Sequence, residues 1–145
     1  MRVVDANVLL YAVNTDAQHH EASRTWLDRA LRGEDSIGLT WIVLLAFLRL
    51  ATKVELFPHP LTVSEAFAQV DDWLSAPGAQ LVDPRSDHLL ILQHLLAGAG
   101  TGGNLVNDAH LAAIAVEQRA EVVSYDGDFA RFVGVRWRRP DELLR

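Results

Sequence analysis

The chain has 145 residues, half of them apolar, and a formal net charge of −6. This length fits one domain over residues 1–145, with enough apolar side chains for a core. The acidic balance argues against a general nucleic-acid binder with a broad basic surface, but permits an enzyme that meets phosphates through a metal and a few arginines. Cysteine is lacking, which excludes disulfides and thiolate metal sites. No apolar run approaches the roughly 20 residues that span a bilayer, so we expect a cytoplasmic protein without membrane contact.

The amino-terminal part alternates short apolar strands with helices. Residues 2–5 predict a strand and residues 7–13 a short helix after it. Between residues 19 and 31, apolar side chains recur at helical spacing. Residues 36–40 predict a second strand, and Trp41–Ala51 predicts a strongly apolar, mostly buried helix.

The carboxy-terminal part begins after two prolines that interrupt the helical pattern within residues 56–60. Thr62 and Glu65 have the spacing of a capping box, which predicts a helix to about Ser75. Ser86 is expected to cap the next helix. The remaining predicted elements are strands at residues 80–82, 121–125 and 135–137, a glycine-rich connector at 97–104 and a helix at 108–119.

Four carboxylates fall at strand ends or helix starts. Asp5 ends the first strand, Asp108 opens a helix, and Asp126 and Asp128 follow the strand at residues 121–125. Strands separated by helices indicate an α/β fold with a mostly parallel sheet, in which the carboxyl ends of the strands share one edge. We therefore expect these acids to converge. Converging acids repel one another unless a cation lies among them, and oxygen-only ligation suits Mg²⁺ or Mn²⁺.

Each acid also has an ordinary structural explanation. Asp5 can begin a turn, Asp108 stands where an N-cap belongs, and Asp126 belongs to an Asp-Gly turn pair. The metal hypothesis therefore depends on convergence. Such a site would activate water for in-line attack on a phosphodiester.

Weaker assignments complete the predicted site. Asn7 and Asn104 are candidates to orient water, and Ser124 to support the acids from behind. Arg49 and Arg24 are candidates for RNA phosphate contacts, or for plain solvent exposure.

The histidines do not suggest a competing metal site. His88, His94 and His110 lack zinc-ligand spacing, and His19 and His20 are expected to lie in solvent.

Three segments together resemble the PIN-domain ribonucleases and, more narrowly, the VapC toxins of bacterial type II toxin–antitoxin pairs. They are VVDANVL at residues 3–9, NDAHLAAIA at 107–115 and SYDGDF at 124–129. The resemblance implies a three-layer α/β/α sandwich with a central, mostly parallel sheet. It also implies an endoribonuclease that depends on Mg²⁺ or Mn²⁺ and leaves a 5′-phosphate and a 3′-hydroxyl. Such toxins form homodimers and are inhibited by a VapB antitoxin.

The resemblance also assigns roles to individual residues. Asp5, Asp108 and Asp126 correspond to the first, third and fourth acids of the family, with Asp128 as an auxiliary acid. Ala46 stands where similar toxins carry glutamate, and its methyl group binds neither metal nor water. The chain is then either a deliberately inactivated variant or a naturally weakened member. We favour the first explanation because the other acids are intact.

Two further functions compete with an active nuclease. With Ala46, the chain could hold RNA or antitoxin without cutting. A phosphatase or phospho-receiver fits less well, because Asp5-Ala6-Asn7 replaces Asp-x-Asp and Lys53 is the one lysine. The apolar segments at residues 9–13 and 41–51 are candidates to border an antitoxin groove, and equally to form core or dimer contacts.

Overall fold

The computed structural model describes residues 1–54 and 58–145. Within these ranges, five short strands form one sheet: β1 Arg2–Val4, β2 Ile37–Leu39, β3 Ala79–Leu81, β4 Glu121–Val123 and β5 Trp137–Arg138. Their order is β3-β2-β1-β4-β5, and every neighbouring pair is parallel. The predicted parallel sheet is confirmed.

The helices form two groups. In the described part of the chain they are α1 Ala6–Val13, α2 His20–Arg29, α3 Trp41–Ala51, α4 Val63–Ser75, α5 His88–Ala99, α6 Val106–Glu117 and α7 Pro140–Leu143. In one group α1 packs on α2 and α3, α2 on α7, and α3 on α4; in the other, α5 packs on α6, which also contacts β1 and β4. With the sheet between them, these groups make the three-layer α/β/α sandwich that the sequence predicted.

The core lies on both faces of the sheet, as expected for parallel strands covered by helices. The paired valines Val3, Val4, Val122 and Val123 are fully buried. The segment from α2 to β2 passes through a π-helical turn, Ala30–Glu34, in which Gly33 has a φ of 105°. Glycine adopts this left-handed geometry without the steric cost that a side chain would bring.

Helix α3 has the predicted bounds but is less buried than predicted. Val43, Leu44, Phe47 and Ala51 form its inner face. Trp41 and Leu45, one turn apart on another face, are 49% and 58% exposed. The prediction of a mostly buried helix was therefore wrong, because an apolar sequence on all sides does not tell which side is covered.

The start of α4 confirms the capping box. Thr62 Oγ1 accepts the Glu65 N–H at 3.1 Å, and Glu65 Oε1 accepts the Thr62 N–H at 2.9 Å. The predicted cap at Ser86 was wrong, since α5 begins later, at His88, after Asp87. The carboxylate of Glu117 accepts the Arg85 N–H at 2.9 Å just before this start.

Two further expectations concern the break between the two halves of the chain and the presence of membrane-spanning helices. The predicted break at residues 56–60 lies partly outside the described residues. In the described ranges no helix is long and apolar enough to cross a bilayer.

Candidate active site

The site lies where the sheet reverses its order. The chain moves outward from β1 to β2 and β3, then returns to place β4 on the other side of β1. Ligands of open α/β sheets bind outside the carboxyl ends of the strands at such a switch point. Asp5 follows β1 there, and Ser124, Asp126 and Asp128 follow β4.

A hydrogen-bonded group fixes Asp5. The Ser124 hydroxyl donates to Asp5 Oδ2 at 2.7 Å, and Asn7 Nδ2 donates to the same oxygen at 3.2 Å. The Ala6 N–H donates to Oδ1 at 2.8 Å, as in an N-cap of α1. Burial raises the pKa of Asp5 above its ordinary value, and the nearby Asp126 charge adds to the rise, while the bonds from Ser124 and Ala6 lower it.

Ser124 and Asn7 also tie the two strand ends together. The buried Ser124 Oγ accepts Asn7 Nδ2 at 3.0 Å and the Asp126 N–H at 2.9 Å. Asn7 Oδ1 accepts the Tyr125 N–H at 3.1 Å. These contacts hold the loop after β4 at a set distance from Asp5.

Asp126 and Asp128 share a tight turn. The Asp128 N–H donates to Asp126 Oδ1 at 2.9 Å, and the 3₁₀ turn Gly127–Arg131 follows. The turn explanation for Asp126 therefore holds, and its other carboxylate oxygen remains available for the predicted site.

Asp108 lies in the first turn of α6, and the N-cap position belongs to Leu105. Burial raises the pKa of Asp108 to about 6, and the charges of Asp126, Asp5 and Asp128 contribute in that order. A carboxylate at a helix N-terminus normally gains from the helix dipole. Here burial and the surrounding acids outweigh that gain.

The acids converge in space. Carboxylate oxygens of Asp108, Asp126 and Asp128 lie within 4.8 Å of one another. Asp5 and Asp108 line one cavity of about 170 Å³. Among the described residues, no lysine, arginine or histidine forms an ion pair with any of the four. An oxygen-only set of uncompensated carboxylates fits a hard divalent cation such as Mg²⁺ or Mn²⁺.

The same cavity contains Ala46, on the side of α3. The rest of its lining consists of Ala6, Ile42, Val43, Asn107 and Leu111. A longer acidic side chain at position 46 would therefore start from the lining that Ala46 shares with Asp5 and Asp108. Asn107 was not predicted, and its position at the start of α6 beside Asp108 was the available signal.

Three weaker assignments have no contact with the acids. Asn104 is exposed in the 3₁₀ turn Gly103–Leu105, and Asn107 borders the cavity instead. Arg24 is exposed and pairs with Asp28 at 3.7 Å on α2. Arg49 is exposed near the end of α3.

The prediction that His19 and His20 lie in solvent was wrong for His20, and His19 is only partly exposed. His20 is buried, with Nδ1 2.8 Å from the Tyr11 carbonyl oxygen, and His19 stacks on Tyr125. His88 lies between Glu117, at 2.6 Å, and His110, at 2.8 Å. Sequence spacing gave no signal for this chain of contacts, because it joins two helices.

Comparisons with known proteins agree with this architecture. The PIN domain family model matches residues 2–135. Ribonuclease VapC37 of Mycobacterium tuberculosis is 62% identical over 99% of this chain and 100% of its own length. Ribonuclease VapC33 of the same species is 40% identical over 97% of this chain and 98% of its own length.

Solved structures agree on the fold. VapBC2 of Rickettsia felis, solved bound to a DNA fragment from its promoter, aligns with a TM-score of 0.70 at 20% identity over 95% of this chain and 97% of that chain. Mycobacterium tuberculosis VapC20, described as a sarcin-ricin loop cleaving toxin, aligns with a TM-score of 0.67 at 18% identity over 94% and 99%. Taken with the family match and the high identity to VapC37, these likenesses show that the chain belongs to the PIN-domain family, within its VapC branch.

Proposed function

We propose that this chain is an endoribonuclease toxin that hydrolyses RNA phosphodiester bonds with the help of Mg²⁺ or Mn²⁺. The convergence of Asp5, Asp108, Asp126 and Asp128 at one edge of the sheet carries the proposal. Relatives over the whole chain are named ribonucleases. The products implied by the family are a 5′-phosphate and a 3′-hydroxyl.

The acids have distinct tasks in this proposal. Asp108, Asp126 and Asp128 would hold the cation, and Asp5, which lines the same cavity as Asp108, would complete its site. When bound, a divalent cation supplies Lewis acidity that activates water and neutralises charge on a phosphodiester. The bonds from Ser124 and Asn7 to Oδ2 keep the Asp5 carboxylate aimed, and the Ser124 bond also opposes the rise in its pKa that burial causes. Arg24 and Arg49 remain candidates for RNA contacts on the exposed surface.

The test is cleavage of a total RNA pool with Mg²⁺ and with a chelator, by this chain and by an Asp126→Asn variant. Because Ala46 replaces the family glutamate, we expect few Mg²⁺-dependent fragments from the parent and none above the no-protein control from the variant. Equal RNA decay with the parent, the variant and no protein would contradict the proposal.

A second candidate is a catalytically silent module that binds RNA or antitoxin. Ala46 favours it, because a methyl group occupies the wall of the acidic cavity from which the family glutamate would reach. Binding and cleavage measured on the same RNA separate the two candidates. Binding without cleavage at any divalent-ion concentration would select the silent module.

The proposed inhibitor is a VapB-like antitoxin. Several solved relatives are VapBC complexes. The exposed Trp41 and Leu45 offer an apolar surface on α3, the helix that also bears Ala46 at the cavity. An antitoxin segment would lay apolar side chains here and place a basic side chain among the acids.

We also propose a homodimer, acting in the cytoplasm. Helix α5 contains no charged Asp, Glu, Lys or Arg, and its Leu89 and Leu90 are 78% and 70% exposed. Exposed apolar faces of this kind mark interaction sites. A Leu89→Glu, Leu90→Glu variant should shift the mass measured by light scattering from dimer to monomer; an unchanged dimer would exclude α5 as the interface.

A further inference from the structure

Three aromatic rings stand together, and one of them belongs to the residue that precedes Asp126. The His19 ring stacks on Tyr125, with centroids 4.0 Å apart and planes 12° from parallel. Tyr11 contacts both rings from the side, with centroid distances of 5.5 Å to Tyr125 and 5.6 Å to His19. Tyr125 immediately precedes Asp126, so the stack begins one residue from the acid cluster.

The backbone of Tyr125 is hydrogen-bonded and the far end of its ring is buried. Its N–H donates to Asn7 Oδ1 at 3.1 Å, within the network that holds Asp5. Its hydroxyl oxygen is buried, and burial is the largest cause that raises the pKa of Tyr125 to about 12. A ring held in this way is a fixed support for whatever stacks above it.

The His19 side chain contributes neither a helix cap nor a hydrogen bond to the described part of the fold. It precedes α2 at the N-cap position, yet its side chain caps no backbone N–H. Its ring nitrogens form no hydrogen bond within the described residues, and the side chain remains partly exposed. Its neighbour His20, by contrast, is buried and bonded to the Tyr11 carbonyl. Stacking on Tyr125 is therefore the main contact of His19.

The surroundings favour a base over a phosphate as the ligand of this stack. Asp126 follows Tyr125 directly, and the acid cluster to which it belongs repels any phosphate that no cation accompanies. A nucleobase is uncharged and presents a flat face, and unpaired RNA bases bind proteins by stacking on aromatic side chains, histidine among them.

We infer that the His19–Tyr125 stack binds one unpaired base of the RNA, next to the phosphodiester that reaches the acids. This inference rests on the proposed nuclease function, which it deepens by naming an RNA contact. His19 is then an RNA-binding residue, and Tyr11 and Tyr125 position it.

The experiment compares His19→Gln with His19→Phe. Glutamine keeps a polar side chain and removes the ring, whereas phenylalanine keeps a ring and removes the imidazole. In the Asp126→Asn background, binding of short mixed-sequence single-stranded RNA carrying 2-aminopurine is followed by fluorescence. We expect His19→Gln to weaken binding about tenfold and abolish the stacking-induced quenching, and His19→Phe to stay within about twofold of the parent.

Steady-state cleavage supplies the second readout. With Asp126 intact, His19→Gln should raise KM about tenfold and leave kcat within about twofold, and His19→Phe should restore KM. Both variants should keep the parent's melting temperature and its affinity for a VapB-like antitoxin. Parent-like RNA binding by both variants overturns the inference, as does an equal loss in both. A loss confined to antitoxin binding also overturns it.

A failure of the proposed nuclease function would give different results from a failure of the proposed base contact. A parent chain that cuts no RNA while ring-dependent binding persists contradicts the nuclease and leaves the base contact in place. Normal cleavage with no dependence on His19 contradicts the base contact and leaves the nuclease in place.

Discussion

The imidazole Nδ1 of His88 lies 2.6 Å from Oε2 of Glu117 and so joins the first residue of α5 to the last residue of α6. The Glu117 side chain is 1% exposed. A buried carboxylate is stable only if it is paired. His88 and the Arg85 N–H are its partners among the described residues.

His88→Ala should therefore lower the free energy of unfolding by about 2–4 kcal/mol, because it leaves Glu117 buried and largely uncompensated. Urea denaturation at pH 7 measures this change. The control is His94→Ala, an exposed histidine on the same helix, with an expected effect within about 0.5 kcal/mol. Adding Glu117→Gln to His88→Ala should recover part of the loss; equal effects of His88→Ala and His94→Ala would contradict the pairing.

The raised pKa of Asp108 predicts how stability depends on pH. A carboxyl whose folded pKa of about 6 exceeds its ordinary value of 3.8 binds its proton more tightly in the folded state. Its contribution therefore becomes less favourable as pH rises from about 4 through 6, and the cost persists above that window.

Asp108→Asn should remove this cost. With a chelator present at pH 7.5, we expect the variant to be more stable by about 1 kcal/mol, after allowance for solvent screening of a half-exposed group. The gain should disappear near pH 4 and should shrink when Mg²⁺ is added to both proteins. Asp72→Asn, an exposed acid on α4, is the control. A gain for Asp108→Asn that is independent of pH would contradict the explanation.

Ser124 should matter more for alignment than for binding RNA. Ser124→Ala removes one donor to Asp5 Oδ2 and one acceptor for Asn7 and the Asp126 N–H. We expect a loss of about 1–2 kcal/mol in stability and of about 10- to 100-fold in kcat for RNA cleavage, with little change in RNA affinity. Ser86→Ala, an exposed serine, should match the parent in all three measurements. A purely KM-based loss in Ser124→Ala would argue against a positioning role.

Ala46→Glu tests the departure from the family pattern. Because Ala46 lines the cavity with Asp5 and Asp108, the new carboxylate should reach the cation site. We expect Mg²⁺-dependent RNA cleavage to rise by at least about tenfold. Ala46→Gln has nearly the same shape without the charge and should give no such gain. Equal cleavage by the parent and Ala46→Glu would refute the idea that Ala46 limits activity.

Gly78 is a position where the fold allows no side chain. A Cβ there would lie 2.0 Å from the Ala30 carbonyl oxygen, a backbone atom that cannot move aside cheaply. Gly78→Ala should therefore cost about 2–4 kcal/mol of unfolding free energy. Gly98→Ala, with nothing within 4 Å of its added Cβ inside α5, should instead stabilise by about 0.5–1 kcal/mol. The opposite order of the two melting temperatures would contradict this packing.

The sequence predicted the acidic site because its logic is topological. Short apolar runs ending in Asp5 and before Asp126 identify parallel strands, and the carboxyl ends of such strands share an edge whatever the loops do. The capping box at Thr62 was predictable for a different, local reason, since four consecutive residues contain all its partners. The start of α7 at Pro140 was missed, because a four-residue helix shows no periodicity.

Contacts between residues far apart in the chain could not be predicted from the sequence. His88 and Glu117 lie on separate helices, and the stack of His19 on Tyr125 joins the start of α2 to the end of β4. The spacing of such residues does not indicate which faces of two packed elements are turned toward each other. The exposed faces of α3 and α5 escaped prediction likewise, since uniformly apolar helices give no signal of which side meets the sheet.

The central place of β1 has a consequence for synthesis. The first strand to be synthesised lacks its second neighbour for most of translation, because β4 closes its free edge only after residue 123 has been made. Ser124 then meets Asp5 across a separation of 119 residues. A product that ends before Asp126 therefore lacks the acids that follow β4, and it cannot assemble the acidic cluster.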